Sequence, residues 1–200
     1  MDRICRLYIV RHGQVVGYEK NPVNGHTDVD ITEVGEIQME HLAQRLRLAD
    51  IRAIYSSDLK RCTRGARIIG RHHNVPFYVM PELREMYYGS WEGLTLEEIR
   101  EGFPDELERR KADLVNYQAP GNGESLRVLS ERIMACVQSI LEDQKGDDIL
   151  LVGHGGINRV ILCNALGLDL SRMINFQQDY GCLNIIDYLP DSRLVRLING

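Results

Sequence analysis

Leu7-Tyr8-Ile9-Val10-Arg11-His12-Gly13 is the most informative stretch of this chain. Its first four residues are apolar β-formers without alternation, the pattern of a strand covered on both faces in a parallel sheet. The run ends abruptly at Arg11-His12-Gly13, which sets a guanidinium and an imidazole at a strand's carboxyl end. Open α/β sheets bind ligands in the crevice outside those ends. Three further runs share the character: Ile51–Tyr55, Asp148–Val152 and Leu183–Tyr188. Pro76–Val79 and Leu194–Ile198 bring the candidate strands to about six. The last follows Leu189-Pro190-Asp191-Ser192, a turn signal, and is expected to pair back as an antiparallel edge.

Helical patterns lie between the runs. Thr32 can cap a helix whose apolar stripe is Gly35, Met39, Leu42, Ala43 and Leu46. Ser125 can cap another, with Leu126, Leu129, Ile133, Val137 and Ile140 at helical spacing. A third carries Ile157, Val160, Ile161 and Ala165 and begins directly after Gly155-Gly156. The alternation predicts an α/β fold: a three-layer α/β/α sandwich on a mostly parallel sheet, one domain over residues 1–200. Residues 82–124 are charged and rich in Gly and Pro, and are expected to lie as a loop-rich cap over the sheet.

Composition sets limits on partners. The chain has 200 residues, 44% hydrophobic and 26% charged, with a net charge of −5. That length buries a core without disulfides. The acidic balance speaks against nucleic acid, whose phosphates need excess Lys and Arg. No apolar run reaches the roughly 18–20 residues of a membrane span, and the N-terminus lacks a signal-peptide core. Five cysteines at 5, 62, 136, 163 and 182 form no C-x-x-C. They read as reduced, buried thiols of a cytoplasmic protein. His72 and His73 are neighbours and point about 100° apart on a helix, so they cannot share a metal.

A second strand end repeats the first: Val152 runs into Gly153-His154-Gly155-Gly156. That imidazole also opens a helix, whose free N–H groups favour an anion. A third strand leads to Ser56-Ser57-Asp58-Leu59-Lys60-Arg61 and brings another guanidinium to the same edge. With Gly25-His26-Thr27-Asp28, the Leu83–Gly93 stretch carrying Glu85 and Gly-x-Trp-Glu-Gly, and Gly123-Glu124-Ser125, these blocks stand in the order seen in the histidine phosphatase superfamily, the phosphoglycerate-mutase-like fold. The chain resembles that family over most of its length.

The resemblance implies a role for each matching residue. His12 would be the nucleophile, forming a phosphohistidine. Arg11 and Arg61 would clamp the phosphate as guanidinium forks, with His154 as a cation or hydrogen-bond donor beside them. Glu85, among Leu83, Met86, Tyr87, Tyr88 and Trp91, would be the general acid and base, its apolar surroundings raising its pKa. Gly155, at the helix start, would add an anion-binding N–H. The family commonly places Asn seven residues after the first Arg, where this chain has Tyr18, and Asn24 is the expected replacement. Cys62 and Gly65 stand where residues such as Ala are usual. No metal or other cofactor is implied. Clustered Arg109-Arg110-Lys111 reads first as a solvated helix face, with help in holding a second phosphate as the alternative.

Mutases of the family typically follow the acidic residue with Arg-His-Tyr-Gly, whereas Glu85 precedes Met86-Tyr87-Tyr88-Gly89. The expectation is therefore a phosphomonoester hydrolase acting on a small phosphorylated metabolite. The 25–28 and Trp91 blocks look most like α-ribazole phosphatases of the cobalamin nucleotide loop. The alternatives are a phosphoglycerate mutase or a non-catalytic phosphate binder on the same fold. Both monomer and homodimer are compatible with the sequence.

Overall fold

The apolar runs become the strands of one sheet. The computed structural model describes residues 3–200. Its strands are β1 (Cys5–Arg11), β2 (Ile51–Ser56), β3 (Phe77–Val79), β4 (Asp148–Gly153), β5 (Leu183–Tyr188) and β6 (Arg193–Leu197). They lie in the order β3-β2-β4-β1-β5-β6. The first four run parallel. The Leu183–Tyr188 run, grouped above with the parallel strands, pairs antiparallel to β1, and β6 returns antiparallel to β5. Its apolar character reports burial on both faces and carries no information about direction.

The helices are α1 (Glu33–Leu46), α2 (Lys60–Gly70), α3 (Leu96–Gly102), α4 (Pro104–Ala112), α5 (Leu126–Asp143) and α6 (Gly155–Leu166). Period-2 alternation sorts the strand side chains between two faces. Leu7, Ile9, Ile149 and Leu151 pack with α5 and α6, while Tyr8, Val10, Leu150 and Val152 pack with α1 and α2. The result is the expected α/β/α sandwich. Both predicted caps form: the hydroxyl oxygen of Thr32 accepts from Gly35 N–H, and that of Ser125 from Val128 N–H. α6 begins at Gly155, two positions earlier than the apolar pattern implied, with His154 as its N-cap residue.

Residues 82–124 are more ordered than a loop-rich reading allows. They hold α3 and α4, and Thr95 and Glu98 close a reciprocal capping box at the start of α3. Pro104 opens α4. These signals are local and present in the sequence, but the high charge of the segment masks them. Trp91, Ile99, Tyr117 and Ala119 form a small core of their own here, with Trp91 stacked on Tyr117 at 5.6 Å. All five cysteines are buried and unpaired with one another. Among the described residues, no helix is long and apolar enough to cross a membrane.

Candidate active site

The ends of β1 and β4 lie side by side, so the residues that follow them meet. His12 N–H donates to the Gly153 carbonyl at 3.0 Å, and its own carbonyl accepts from Gly181 N–H at 3.1 Å. The imidazole is buried, and its Nδ1 lies 2.8 Å from the Gly13 carbonyl. A carbonyl oxygen only accepts, so Nδ1 carries the proton and Nε2 keeps its lone pair. Burial, then the charges of Arg11 and Arg61, hold the ring well below the ordinary imidazole value of 6.5. Nε2 is a neutral nitrogen base at physiological pH.

His154 faces this ring edge-on, with centroids 5.1 Å apart and planes at 68°. It makes no side-chain capping bond to its own helix. Arg61 Nε donates to His154 Nδ1 at 3.1 Å, which leaves the proton on Nε2, 3.3 Å from Sγ of Cys62. Desolvation, followed by the charge of Arg61, keeps His154 well below 6.5. Its neutral ring has one N–H to donate, and that Nε2–H lies toward Cys62 Sγ.

Arg61 is the largest fully buried side chain. Its terminal nitrogens donate to three main-chain carbonyls: Nη1 to Thr27 at 2.7 Å, and Nη2 to Gly25 at 2.6 Å and Asn24 at 3.1 Å. Asn24 thus touches Arg61 through its backbone, a contact that any residue type can supply, and it also lines the cavity. Arg11 donates from Nη1 to the Gln178 carbonyl at 2.5 Å, and its guanidinium lies 3.9 Å over the Tyr180 ring. Arg11 Nε is buried without a partner, and a Cβ on Gly155 would sit 3.5 Å from it. Among the described residues neither guanidinium pairs with a carboxylate, so their charge is uncompensated. Such a pair is a ready seat for a dianion.

Glu85 reaches the same place from the other side. Its Oε2 accepts from Gly156 N–H at 2.8 Å and its Oε1 from Met86 N–H at 2.9 Å. The apolar neighbours expected around it are therefore joined by two main-chain donors, one at the positive end of α6. This corrects the simple picture of α6 as an open anion site, because the Gly156 N–H serves Glu85. A side chain at Gly156 would put its Cβ 2.3 Å from the Glu85 carboxylate, which explains the glycine.

Glu92 ties these parts together. Its carboxylate accepts from His26 N–H, Thr27 N–H, the Thr27 hydroxyl and Tyr88 N–H at 2.7–3.1 Å. It thereby joins the loop around Arg61 to the loop that carries Glu85. Gly25 is the point of closest approach, where a Cβ would lie 2.2 Å from both Glu92 Oε1 and the Met86 carbonyl.

Sequence reasoning missed Tyr180 and undervalued Arg110. Tyr180 touches both Arg11 and His12, but it precedes β5 by a few residues and nothing local marks it. Arg109 and Lys111 are solvated and paired with Glu106 and Glu108, as expected of a charged helix face. Arg110 instead turns inward. It lines a cavity of about 270 Å³ together with Arg11, His12, Arg61 and Glu85. The lining also has an apolar part, including Val23, Leu96, Ile99 and Leu107.

Fold and site together define a phosphoryl-transfer centre: an uncharged imidazole, the guanidinium groups of buried Arg61 and half-buried Arg11, and a carboxyl group around one cavity. The chain belongs to the histidine phosphatase superfamily, branch 1, whose profile matches residues 7–200. It is 27% identical over 197 residues to the adenosylcobalamin/α-ribazole phosphatase of Escherichia coli K12, covering 98% of this chain and 96% of that one. A metal-independent phosphoserine phosphatase of Arabidopsis thaliana is 32% identical over 162 residues, covering 80% and 68%. The crystal structure of the α-ribazole phosphatase from Shigella flexneri superposes with a TM-score of 0.89 at 26% identity, over 98% of this chain and 96% of that chain.

Proposed function

We propose that this histidine phosphatase hydrolyses a small phosphorylated metabolite by way of a phosphohistidine at Nε2 of His12. The observation that carries the reading is the unprotonated Nε2 beside two guanidinium groups, buried Arg61 and half-buried Arg11, that among the described residues have no carboxylate partner. A phosphomonoester supplies the missing negative charge, and displacement at phosphorus depends mainly on positioning and charge stabilisation.

In the first step the Nε2 lone pair attacks phosphorus as the P–O ester bond breaks. Arg11 and Arg61 hold the equatorial oxygens, with the uncharged His154 ring packed behind them against His12. The leaving oxygen takes its proton from the Glu85 carboxyl group, leaving a carboxylate bonded to Gly156 N–H. A water then attacks the phosphohistidine. Glu85 takes up one of its protons, phosphate departs and Nε2 recovers its lone pair. No step calls on a metal, in keeping with the name of the Arabidopsis relative. Within the class, the apolar part of the lining and the near full-length similarity to α-ribazole phosphatases support α-ribazole 5′-phosphate as the substrate. The five buried thiols suit a reducing compartment, and the cytoplasm is the proposed location.

Rapid quench with labelled phosphomonoester, kept away from acid, should trap an acid-labile, base-stable phosphoprotein. His12→Ala should lose both the label and turnover. Labelling and wild-type turnover in that variant would overturn the mechanism. A strong chelator should leave the rate unchanged; inhibition reversed by Mg²⁺ or Zn²⁺ would count against it equally.

A further inference from the structure

A second cavity of about 470 Å³ adjoins the first and shares Leu96, Leu107 and Arg110 with it. Beyond that shared rim its walls are Leu114 from the segment after α4 and Ile174 from the 170–175 turn, with Arg100 and Lys111 at the edge. Two features set it apart from ordinary surface. Leu96 and Ile174 are 52% and 68% exposed, so large apolar side chains face water where a ligand would cover them. The charge is also one-sided. Lys111 pairs with Glu108, but among the described residues neither Arg100 nor Arg110 pairs with a carboxylate. Arg110 is half-buried at the junction and acts electrostatically on Tyr88 of the active-site wall. It lies in the last turn of α4, where the helix dipole favours a cation.

We propose that this compartment takes the far end of the substrate: an extended apolar body that terminates in an anionic group bound by Arg110 and Arg100. Resting on the hydrolase reading above, the inference adds phosphomonoesters of long, acid-ended apolar alcohols to the substrates that this site can take. The phosphate stays at His12, the apolar chain passes between Leu96 and Leu107, and the terminal acid meets a guanidinium able to bind it through two parallel bonds. Small phosphomonoesters fill only the first cavity and forgo the second.

Three substrates read the compartment directly: ethyl phosphate, octyl phosphate and 8-(phosphonooxy)octanoate. In the native chain kcat/KM should rise about tenfold from ethyl to octyl, since buried methylenes discriminate at that scale. The terminal carboxylate should add about tenfold more. Each variant is scored against its own ethyl phosphate rate. Arg110→Ala should erase the carboxylate gain and keep the chain-length gain, with Arg110→Lys restoring part of it. Ile174→Asp should erase the chain-length gain; at an exposed position it leaves the core intact. Turnover of ethyl phosphate with all three substrates within about twofold would overturn the compartment while leaving the hydrolase reading in place. So would an equal loss on all three in Arg110→Ala. If no phosphomonoester is hydrolysed, the hydrolase reading fails, and calorimetry with 8-phosphonooctanoate decides the compartment. Binding weakened about tenfold by Arg110→Ala sustains it, and equal binding removes it.

Discussion

In the proposed mechanism Glu85 and Arg61 act on different parts of the same ester, and their removal should leave different marks. An alkyl phosphate expels a basic alkoxide and needs a proton, whereas p-nitrophenyl phosphate expels a weakly basic phenolate. Glu85→Gln should therefore cost about 10²–10⁴-fold in the phosphorylation step with an alkyl substrate and much less with the aryl one. Burst kinetics separates that step from dephosphorylation, which is common to all substrates. Equal losses would remove Glu85 as the acid. Arg61→Lys should depress both substrates alike, and nearly as far as Arg61→Ala. Its side chain spans His154 Nδ1 and three carbonyls in fixed directions, a set that a single ammonium cannot reproduce.

At the scale of elements, the site depends on two loops and one helix start meeting at the right depth. Gly156→Ala tests the helix start. Alanine favours the helix, so the stability of α6 should hold or improve slightly. Its Cβ, however, falls where the Glu85 carboxylate lies, and a displacement of about 1 Å can cost on the order of 10²-fold in rate. Loss of kcat on alkyl esters with an unchanged Tm is the expected outcome; wild-type kcat would show that the carboxylate has room to move. Glu92→Gln tests the loops. An amide NH2 set among the donors from His26, Thr27 and Tyr88 leaves at least one bond unmade, at about 1–3 kcal/mol in denaturant unfolding. Because the same loop holds Arg61, activity on alkyl and aryl esters should fall together, unlike in Glu85→Gln.

The molecule as a whole stores two imidazoles that resist protonation. His12 and His154 are held well below 6.5 in the fold, by burial first and neighbouring guanidinium charge second, while the unfolded chain takes up protons near 6.5. Above that pH both states are neutral there and the histidines contribute no pH dependence. Below it the unfolded chain binds more protons, so stability falls with pH until the folded rings titrate too. The slope is about 1.4 kcal/mol per pH unit for each histidine. Urea unfolding between pH 7 and pH 5 should show this decline, and His12→Asn should lessen the slope by about one histidine's share. An unaltered slope would mean that the folded His12 protonates freely. Bound phosphate should raise the transition midpoint, since it supplies the charge that the guanidinium pair lacks.

The sequence by itself determined which residues are candidates for the chemistry, because each stands beside a local signal or in a motif block. His12 and His154 each stand just past the end of an apolar run and before a glycine, Arg61 follows a strand end, and Glu85 sits in an ordered series of motif blocks. The sandwich and its helix caps were legible for the same reason: a strand's burial and a helix's start are set by residues within a turn or two. Tertiary structure alone decided the direction of β5, the inward turn of Arg110 and the contact of Tyr180 with Arg11. It also brought Gly156 N–H to Glu85 across 71 positions. These depend on where distant loops meet, and periodicity, capping and composition are blind to that. The carboxylate of Glu92 lies on the same side of this division: beside Trp91 in the chain it is one acid among several, and only the fold surrounds it with four donors.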